Sequence, residues 1–241
     1  MTSLKQDLAE FITSLLVSIP SGIEGGVTRE IISTLSNIFV VAPSLSLTLL
    51  EKNSAKLCYS SDERSLYLTE LQINARSGPL LEAAEKSESR QYDLDNFDEY
   101  SNAEFVYQVK EVAISSILAV PCRIGDGTVL VILYYFADMC KLSGEELYSI
   151  EIMTKTAAWS IWTMDKIAEL TANAVQLEVA LSSRDVIGQA KGILMAQNHI
   201  TAEQAFGILR SKSQILNKKL RDVAEFVTMT GELPSKDSKW L

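Results

Sequence analysis

From Glu145 to Ile187 the chain runs for 43 residues without a glycine or a proline. Helices in globular domains span roughly 8–20 residues, so an unbroken run of this length predicts a coiled coil or a signalling helix. Ile167, Leu170, Ala174, Leu177 and Leu181 repeat along it at 3-4-3-4 spacing, a short heptad seam. The seam predicts self-association of two copies, with packing inside one chain as the alternative. Trp159 and Trp162 are expected to pack against the preceding domain or an N-terminal helix.

What precedes the run alternates helix and strand signals. Leu4, Leu8, Phe11 and Leu15 are spaced for an amphipathic helix, ended by Pro20 and the glycines after it. A second helix is expected from Thr28, whose hydroxyl can cap "REIISTLSNIF". "SLSLTLLE" alternates with period two and "SAKLCYS" follows a short turn, which predicts a hairpin. Glu63–Asn74 reads as a helix, and Gly78-Pro79 as a turn opening a short one. The acidic stretch "ESRQYDLDNFDEYSNAE" reads as loop with a short strand near Tyr92. "ISSILAVPCRI" and "TVLVILYYF" are strong strands joined by Gly125-Asp126-Gly127, a tight-hairpin signal. The main elements, in the order α-α-β-β-α-β-β-α, predict an α+β domain: an antiparallel sheet flanked by helices.

Composition bounds the function. The chain is 47% apolar and 22% charged, as in ordinary globular proteins, and has no run of 18 apolar residues to cross a membrane. Asp7 and Glu10 precede a short apolar stretch, unlike a secretory leader, so a cytoplasmic location is expected. Cys58, Cys122 and Cys140 stand far apart and His199 is the single histidine, so neither a metal nor a cofactor is expected. The thiols read as small packed hydrophobes. No nucleophile–base set or phosphate loop marks an enzyme. The net charge of −9 hides a reversal: residues 182–241 hold nine Lys/Arg against six Asp/Glu, the first 181 hold 13 against 25. Between 188 and 221, six basic residues face Glu203 alone. Such a reversal points to two units with different partners.

The C-terminal sixty residues read as three helices. Thr201 and Gln204 form a capping-box pair after the turn at Asn198-His199-Ile200. Ala202, Ala205, Phe206 and Leu209 mark the buried face of the helix that follows. A third helix is expected from Asn217 as N-cap, burying Leu220, Val223, Ala224 and Val227 and stopped by Gly231 and Pro234. On the first helix Val186, Ala190, Ile193 and Leu194 share a buried face. Gly188, Gln189, Gly192 and Ala196 share a face almost without bulk, and Lys191 sits on the rim between Ile187 and Met195. Glycine inside a helix costs about 1 kcal/mol relative to alanine. A strip kept smooth at that cost admits a partner helix or a nucleic-acid backbone at close range. Arg210, Lys212, Lys218, Lys219 and Arg221 add cations, interleaved with Ser213, Gln214 and Asn217. Lysines at a helix N-terminus oppose the macrodipole, so helix stability does not explain them. The mixture suits neutralising phosphates and reading polar edges, with a solvated basic face as the alternative.

"IGQAKGILM", "AFGILRSKSQILNKKLRDVAEFV" and the closing "TGELP" resemble an ANTAR domain, the RNA-binding output module of bacterial transcription antitermination regulators, over about Leu181–Pro234. "SGPLLEAAE", "SSILAVPCRIGDGTVLVILYYF" and the helix from Ser143 resemble a GAF domain. Together the resemblance implies a GAF–ANTAR regulator whose C-terminal bundle, as a homodimer, binds paired RNA stem-loops. Bound RNA cannot form an overlapping terminator hairpin, or exposes a different translation signal. The positions matching the family's polar pattern are Gln189, Lys191, Gly192, Arg210, Ser213, Gln214, Asn217, Lys219 and Arg221. Lys191, Arg210, Lys219 and Arg221 are assigned to phosphates, Gln214 and Asn217 to loop bases, which are easier to reach than bases in an A-form duplex. Phe206 and Phe226 fall on apolar faces and are not expected to stack on bases. The resemblance names no cofactor; a small-molecule ligand in the GAF-like domain and a plain dimerisation platform both fit. "NFDEY" at residues 96–100 is too compressed for a cyclic-nucleotide GAF signature, and bilin or haem attachment has no support.

The expected organisation is a GAF-like sensor domain with its N-terminal helix over 1–142, a long signalling helix over 143–181, a three-helix RNA-binding bundle over 182–234, and a tail over 235–241. Two readings compete with it. One is a GAF-linked DNA-binding transcription factor, since three short helices can form a helix-turn-helix, although the third helix turns acidic at Asp222 and Glu225. The other is a non-enzymatic signalling adaptor.

Overall fold

The nine residues Thr128–Phe136 contain almost no polar break, and such a strand is stable only with both faces covered. In the computed structural model, which describes residues 26–52, 54–94, 105, 108–109, 111–125, 127–235 and 238, they form the central strand of a five-stranded antiparallel sheet. The expected N-terminal helix and the "NFDEY" stretch lie outside the described residues. In chain order the elements are α1 (Gly26–Ser36), β1 (Ser44–Glu51), β2 (Ser54–Ser60), α2 (Glu63–Ala75), α3 (Pro79–Lys86), β3 (Arg90–Asp93), β4 (Ser116–Gly125), β5 (Thr128–Phe136), α4 (Gly144–Asn198), α5 (Ala202–Leu216) and α6 (Leu220–Thr230). The sheet order is β2-β1-β5-β4-β3. The chain divides into two compact units, residues 1–169 and 170–241.

Period-two alternation along β5 splits its side chains between two cores. Leu130, Ile132, Tyr134 and Phe136 pack with Ile31, Ile32 and Leu35 of α1 and with Ile150, Met153 and Ala157 of α4. Val129, Val131, Leu133 and Tyr135 pack with Leu68 of α2, Leu80 and Ala83 of α3, Tyr92 and Phe105. The second core holds a closed polar network. Thr69 Oγ1 lies 2.7 Å from both Ser46 Oγ and Tyr135 Oη, and Gln72 Nε2 donates to Tyr135 Oη at 3.0 Å. Gln72 Oε1 in turn accepts from the Leu80 N–H at 2.8 Å. Each polar side chain of this network thus has a partner, as burial demands.

Thr28, expected to cap a helix, is instead buried inside α1. It lies one turn before Ile31 and Ile32, so the apolar face that docks α1 draws it against the sheet. The cap of α2 is Asp62, whose side chain accepts from the Ser65 N–H at 2.9 Å while Ser65 Oγ accepts from the Asp62 N–H at 3.3 Å. Partial burial pushes the Asp62 carboxyl up, but hydrogen bonds from Ser44 and Ser65 and the Arg64 guanidinium hold it below its usual range. A depressed carboxylate stabilises the fold fully above its unfolded value and loses that contribution as pH falls through the folded one. Asp62→Ala is expected to cost about 1 kcal/mol at neutral pH. The loss should shrink in acid, as read by urea unfolding of the full chain at the two pH values.

The helix α4 runs unbroken for 55 residues, past the end of the glycine-free run and through Gly188 and Gly192. Of its two early tryptophans, Trp162 packs half-buried against the first core, whereas Trp159 stays 46% exposed, its ring edge-on to Trp162 at 5.7 Å. All three thiols are free. Burial pushes Cys122 up to about 11, beyond any offset from Lys155, so it packs as a protonated hydrophobe.

Candidate nucleic-acid interface

The last turns of α4 pack with α5 and α6 around Ala190, Leu194, Ala205, Leu209, Val223, Ala224 and Val227. Small residues dominate this core, so its helices approach closely and only a narrow stripe of each is buried. That explains a correction on α5. Ala205 and Leu209 fill the core as expected, but Phe206 stays 39% exposed instead of joining them. It stands one turn before Arg210 and two before Gln214, both exposed, so an aromatic ring, a guanidinium and an amide follow one another along one face. The expectation that Phe206 is unfit to stack on bases rested on its burial, and that burial is absent.

The corner between α5 and α6 also differs from expectation. Thr201 and Gln204 form the capping box that opens α5: the Gln204 N–H reaches Thr201 Oγ1 at 3.3 Å and the Thr201 N–H reaches Gln204 Oε1 at 2.9 Å. Asn217, however, is not an N-cap. It ends α5 in the left-handed region, φ 50° and ψ 43°, and the cap of α6 is Lys219, without a side-chain capping bond. The Lys218 N–H returns to the Ser213 carbonyl at 3.1 Å and the Asn217 N–H to the Gln214 carbonyl at 3.2 Å. This is a Schellman closure, which asparagine tolerates because its side chain is short and polar. Ser213 Oγ adds a bond of 2.6 Å to the Lys218 carbonyl. Its hydroxyl thus holds the corner that displays Asn217 and Lys219, both exposed, and Arg221, half-buried.

The site residues read from the sequence fall into two sets. Arg210, Ser213, Gln214, Asn217, Lys219 and Arg221 follow one another along α5, the corner and the start of α6. Gln189, Lys191 and Gly192 sit on α4, with Gln189 and Gly192 exposed and Lys191 half-buried at the edge of the core. Gln189 and Lys191 flank the buried Ala190 stripe on opposite sides, so they do not share one face. Among the described residues Lys191, Arg210, Lys219 and Arg221 form no ion pair. A cation without a carboxylate partner keeps its charge available for phosphate.

Nothing among the described residues explains Gly188 and Gly192. A Cβ built on Gly188 or Gly192 meets no atom within 4 Å. The heptad stripe upstream is equally bare: every residue from Glu169 to Leu181 is exposed, with Leu170 at 67%, Leu177 at 62% and Leu181 at 54%. Ile167 is 49% exposed and Ala174 exposed, so the whole stripe keeps much of its surface open. Gly188 and Gly192 follow Leu181 by seven and eleven residues, close to two and three turns of about 3.6 residues. In an unbroken helix they therefore continue the face of Leu170, Leu177 and Leu181.

Comparison with known proteins bears on both units. Residues 175–227 match the ANTAR domain family. No curated protein matches the chain. Solved structures with similarity include the GAF domain/HD domain protein of Geobacter sulfurreducens, 14% identical, covering 59% of this chain and 93% of that one at a TM-score of 0.46. The GAF domain of a two-component sensor histidine kinase from Bacillus halodurans is 17% identical, covering 58% and 95% at 0.41. An N-acylhomoserine lactone dependent LuxR family transcription factor from Burkholderia cenocepacia is 12% identical, covering 68% and 96% at 0.50, a likeness of fold alone. The cationic three-helix arrangement and the family match coincide: the chain carries an ANTAR domain at residues 175–227, reached by one continuous helix from an α+β domain with an antiparallel five-stranded sheet.

Proposed function

We propose that this protein is a signal-responsive, cytoplasmic regulator that binds RNA stem-loops as a homodimer and so controls transcription antitermination or translation. ANTAR domains are RNA-binding antitermination modules, and the observation that carries the reading to this chain is that Lys191, Arg210, Lys219 and Arg221 form no ion pair among the described residues. In this reading residues 1–142 form a GAF-like sensor, 143–181 couple and dimerise, and 182–234 bind RNA. Lys191, Arg210, Lys219 and Arg221 contact phosphates; Gln189, Gln214 and Asn217 face polar edges, and Phe206 offers a stacking surface beside Arg210. Ser213 acts by fixing the corner. Dimerisation runs through Ile167, Leu170, Ala174, Leu177 and Leu181. Titrating stem-loop RNA and duplex DNA of equal length in competition separates this reading from a DNA-binding regulator; tighter binding of the duplex overturns it. Crosslinking to cellular RNA followed by sequencing identifies the targets, and recovery of no structured RNA favours a signalling adaptor.

Gly192→Ala separates the two uses of the smooth strip. With nothing within 4 Å of the new methyl, helix propensity alone acts, and stability is expected to rise by about 0.5–1 kcal/mol. If a second α4 lies on the strip, sedimentation shows weaker self-association; if RNA lies there, the dimer persists and RNA affinity falls. An unchanged variant in both measurements removes Gly192 from the interface.

A further inference from the structure

Both faces of the sheet are packed at their centres and leave open space at their margins. Against the Tyr135 face, Leu68, Leu80, Tyr92 and Phe105 pack to 2% exposure or less. The Tyr134 face is covered by α1 and α4 except at one end, where a cavity of about 310 Å³ opens. Residues 38–43, between α1 and β1, make one wall, and Phe136 at the end of β5, residues 137–140 and Leu142 make the other. Glu146 and Ile150, from the first two turns of α4, complete the lining.

Both walls are tied to the fold independently of any occupant. Ser36 Oγ donates to the Pro43 carbonyl at 3.0 Å, and the Phe39 ring meets Phe136 edge-on at 5.0 Å. On the other wall Ser115 Oγ donates to the Ala137 carbonyl at 2.8 Å, and Ser116 Oγ donates to the Asp138 carbonyl at 3.2 Å while accepting the Cys140 N–H at 3.1 Å. A preformed apolar cavity with a few polar groups is the usual form of a ligand site, and this volume lies at the lower end of the range of about 300–1,000 Å³. Val40 and Val41, at 106% and 62% exposure, surround the mouth with apolar surface that no part of the described chain covers.

The lining also fixes the sign of charge. It includes the carboxylates of Asp138 and Glu146 and no lysine or arginine. Glu146 accepts the Ser143 N–H at 2.9 Å and the Ser143 hydroxyl at 2.8 Å, bonds that hold its carboxyl below the usual range and keep it ionised. Its charge also answers the positive end of α4, leaving that end nothing to offer an anion. Burial and the nearby Glu146 carboxylate push the Cys140 thiol up, so it stays protonated and forms no covalent link.

We propose that this cavity binds a small molecule with an apolar body and one cationic end. The site stands on the first unit alone and gives the regulator proposed above its class of signal. An occupant touches Glu146 and Ile150, at the start of the helix that runs to Asn198.

The test uses the full chain without RNA, so its failure leaves the RNA-binding reading standing. Three probes of one shape, 3-phenylpropylammonium, 3-phenylpropanol and 3-phenylpropionate, are titrated by ligand-observed NMR and calorimetry. Saturable one-to-one binding of the ammonium, about ten-fold or more tighter than the carboxylate, is expected from the two carboxylates of the rim. Asp138→Asn should narrow that preference, and Ala42→Trp, which places an indole at the exposed lip, should abolish binding of the ammonium and the alcohol alike. Circular dichroism and the unfolding midpoint establish that each variant is folded. No saturable binding of the ammonium, equal affinity for the carboxylate, or undiminished binding by folded Ala42→Trp overturns the proposal.

Discussion

Leu170→Glu combined with Leu177→Glu is expected to turn the proposed homodimer into a monomer without unfolding either unit. The two leucines are 67% and 62% exposed in the single chain, so replacing them removes no contact from its cores. Glutamate is nearly as good a helix former as leucine, which keeps α4 intact. Burying a leucine fully is worth about 1.5–3 kcal/mol, so the exposed two-thirds of each contributes roughly 1–2 kcal/mol on association. Four such side chains meet in a dimer, and their loss, with like charges brought together, raises the dissociation constant by about 1,000-fold or more. Sedimentation at a series of concentrations reads that shift, with far-ultraviolet circular dichroism as the control for helix content. RNA carrying two stem-loops should then bind about 100-fold more weakly, because the second contact ceases to be intramolecular, whereas a single stem-loop should lose little. A variant that stays dimeric removes the seam from the interface; a monomer that holds the paired RNA with full affinity removes dimerisation from the mechanism.

Replacing Lys191, Arg210, Lys219 and Arg221 together by alanine is expected to remove most of the affinity for RNA and most of its salt dependence. Each phosphate neutralised releases counterions and contributes about 0.7–0.9 to the slope of log K against log salt. For a single stem-loop held by one bundle, four contacts give a slope near −3, which weakens wild-type binding about 50- to 150-fold between 50 and 200 mM salt. The quadruple variant should show a slope flatter by about 3 units and a nearly salt-independent residue of binding. None of the four residues forms an ion pair among the described residues, so their removal should leave the unfolding midpoint close to wild type. An unchanged slope would place the phosphate contacts elsewhere. A loss confined to one RNA sequence would mean that these side chains read bases instead.

How far the sequence foretold this arrangement depends on how unambiguous each residue's chemistry is. Thr201 and Gln204 are legible because a capping box needs both partners at fixed spacing, and the buried stripe of Ala190 and Leu194 follows from helical period alone. Asn217 is not legible in the same way. Asparagine is favoured both as an N-cap and as the left-handed residue closing a helix, and only the backbone bonds to Ser213 and Gln214 decide between them. The spacing of Phe206 from Ala202 and Leu209 predicts a buried ring, but the core closes around Ala190, Ala205 and Ala224 and leaves Phe206 39% exposed. The antiparallel sheet was legible from β4, β5 and their turn. Its strand order was not, since a strand apolar on both faces fits several neighbours equally well. The face shared by Leu170, Leu181 and Gly192 required knowing that Gly188 does not interrupt α4, because a break there would change the rotation of everything after it.

The bare glycines at 188 and 192 also make α4 a natural reporter. A Cβ at either position would meet no atom within 4 Å, and glycine resists local helix opening less than alanine, so deuterium should replace their amide protons early for a helix interior in the free protein. Whatever comes to lie against that strip must slow the exchange. Mass-resolved labelling of the peptide spanning Asp185–Asn198 would therefore register occupancy of the strip, without a dye and without altering a side chain.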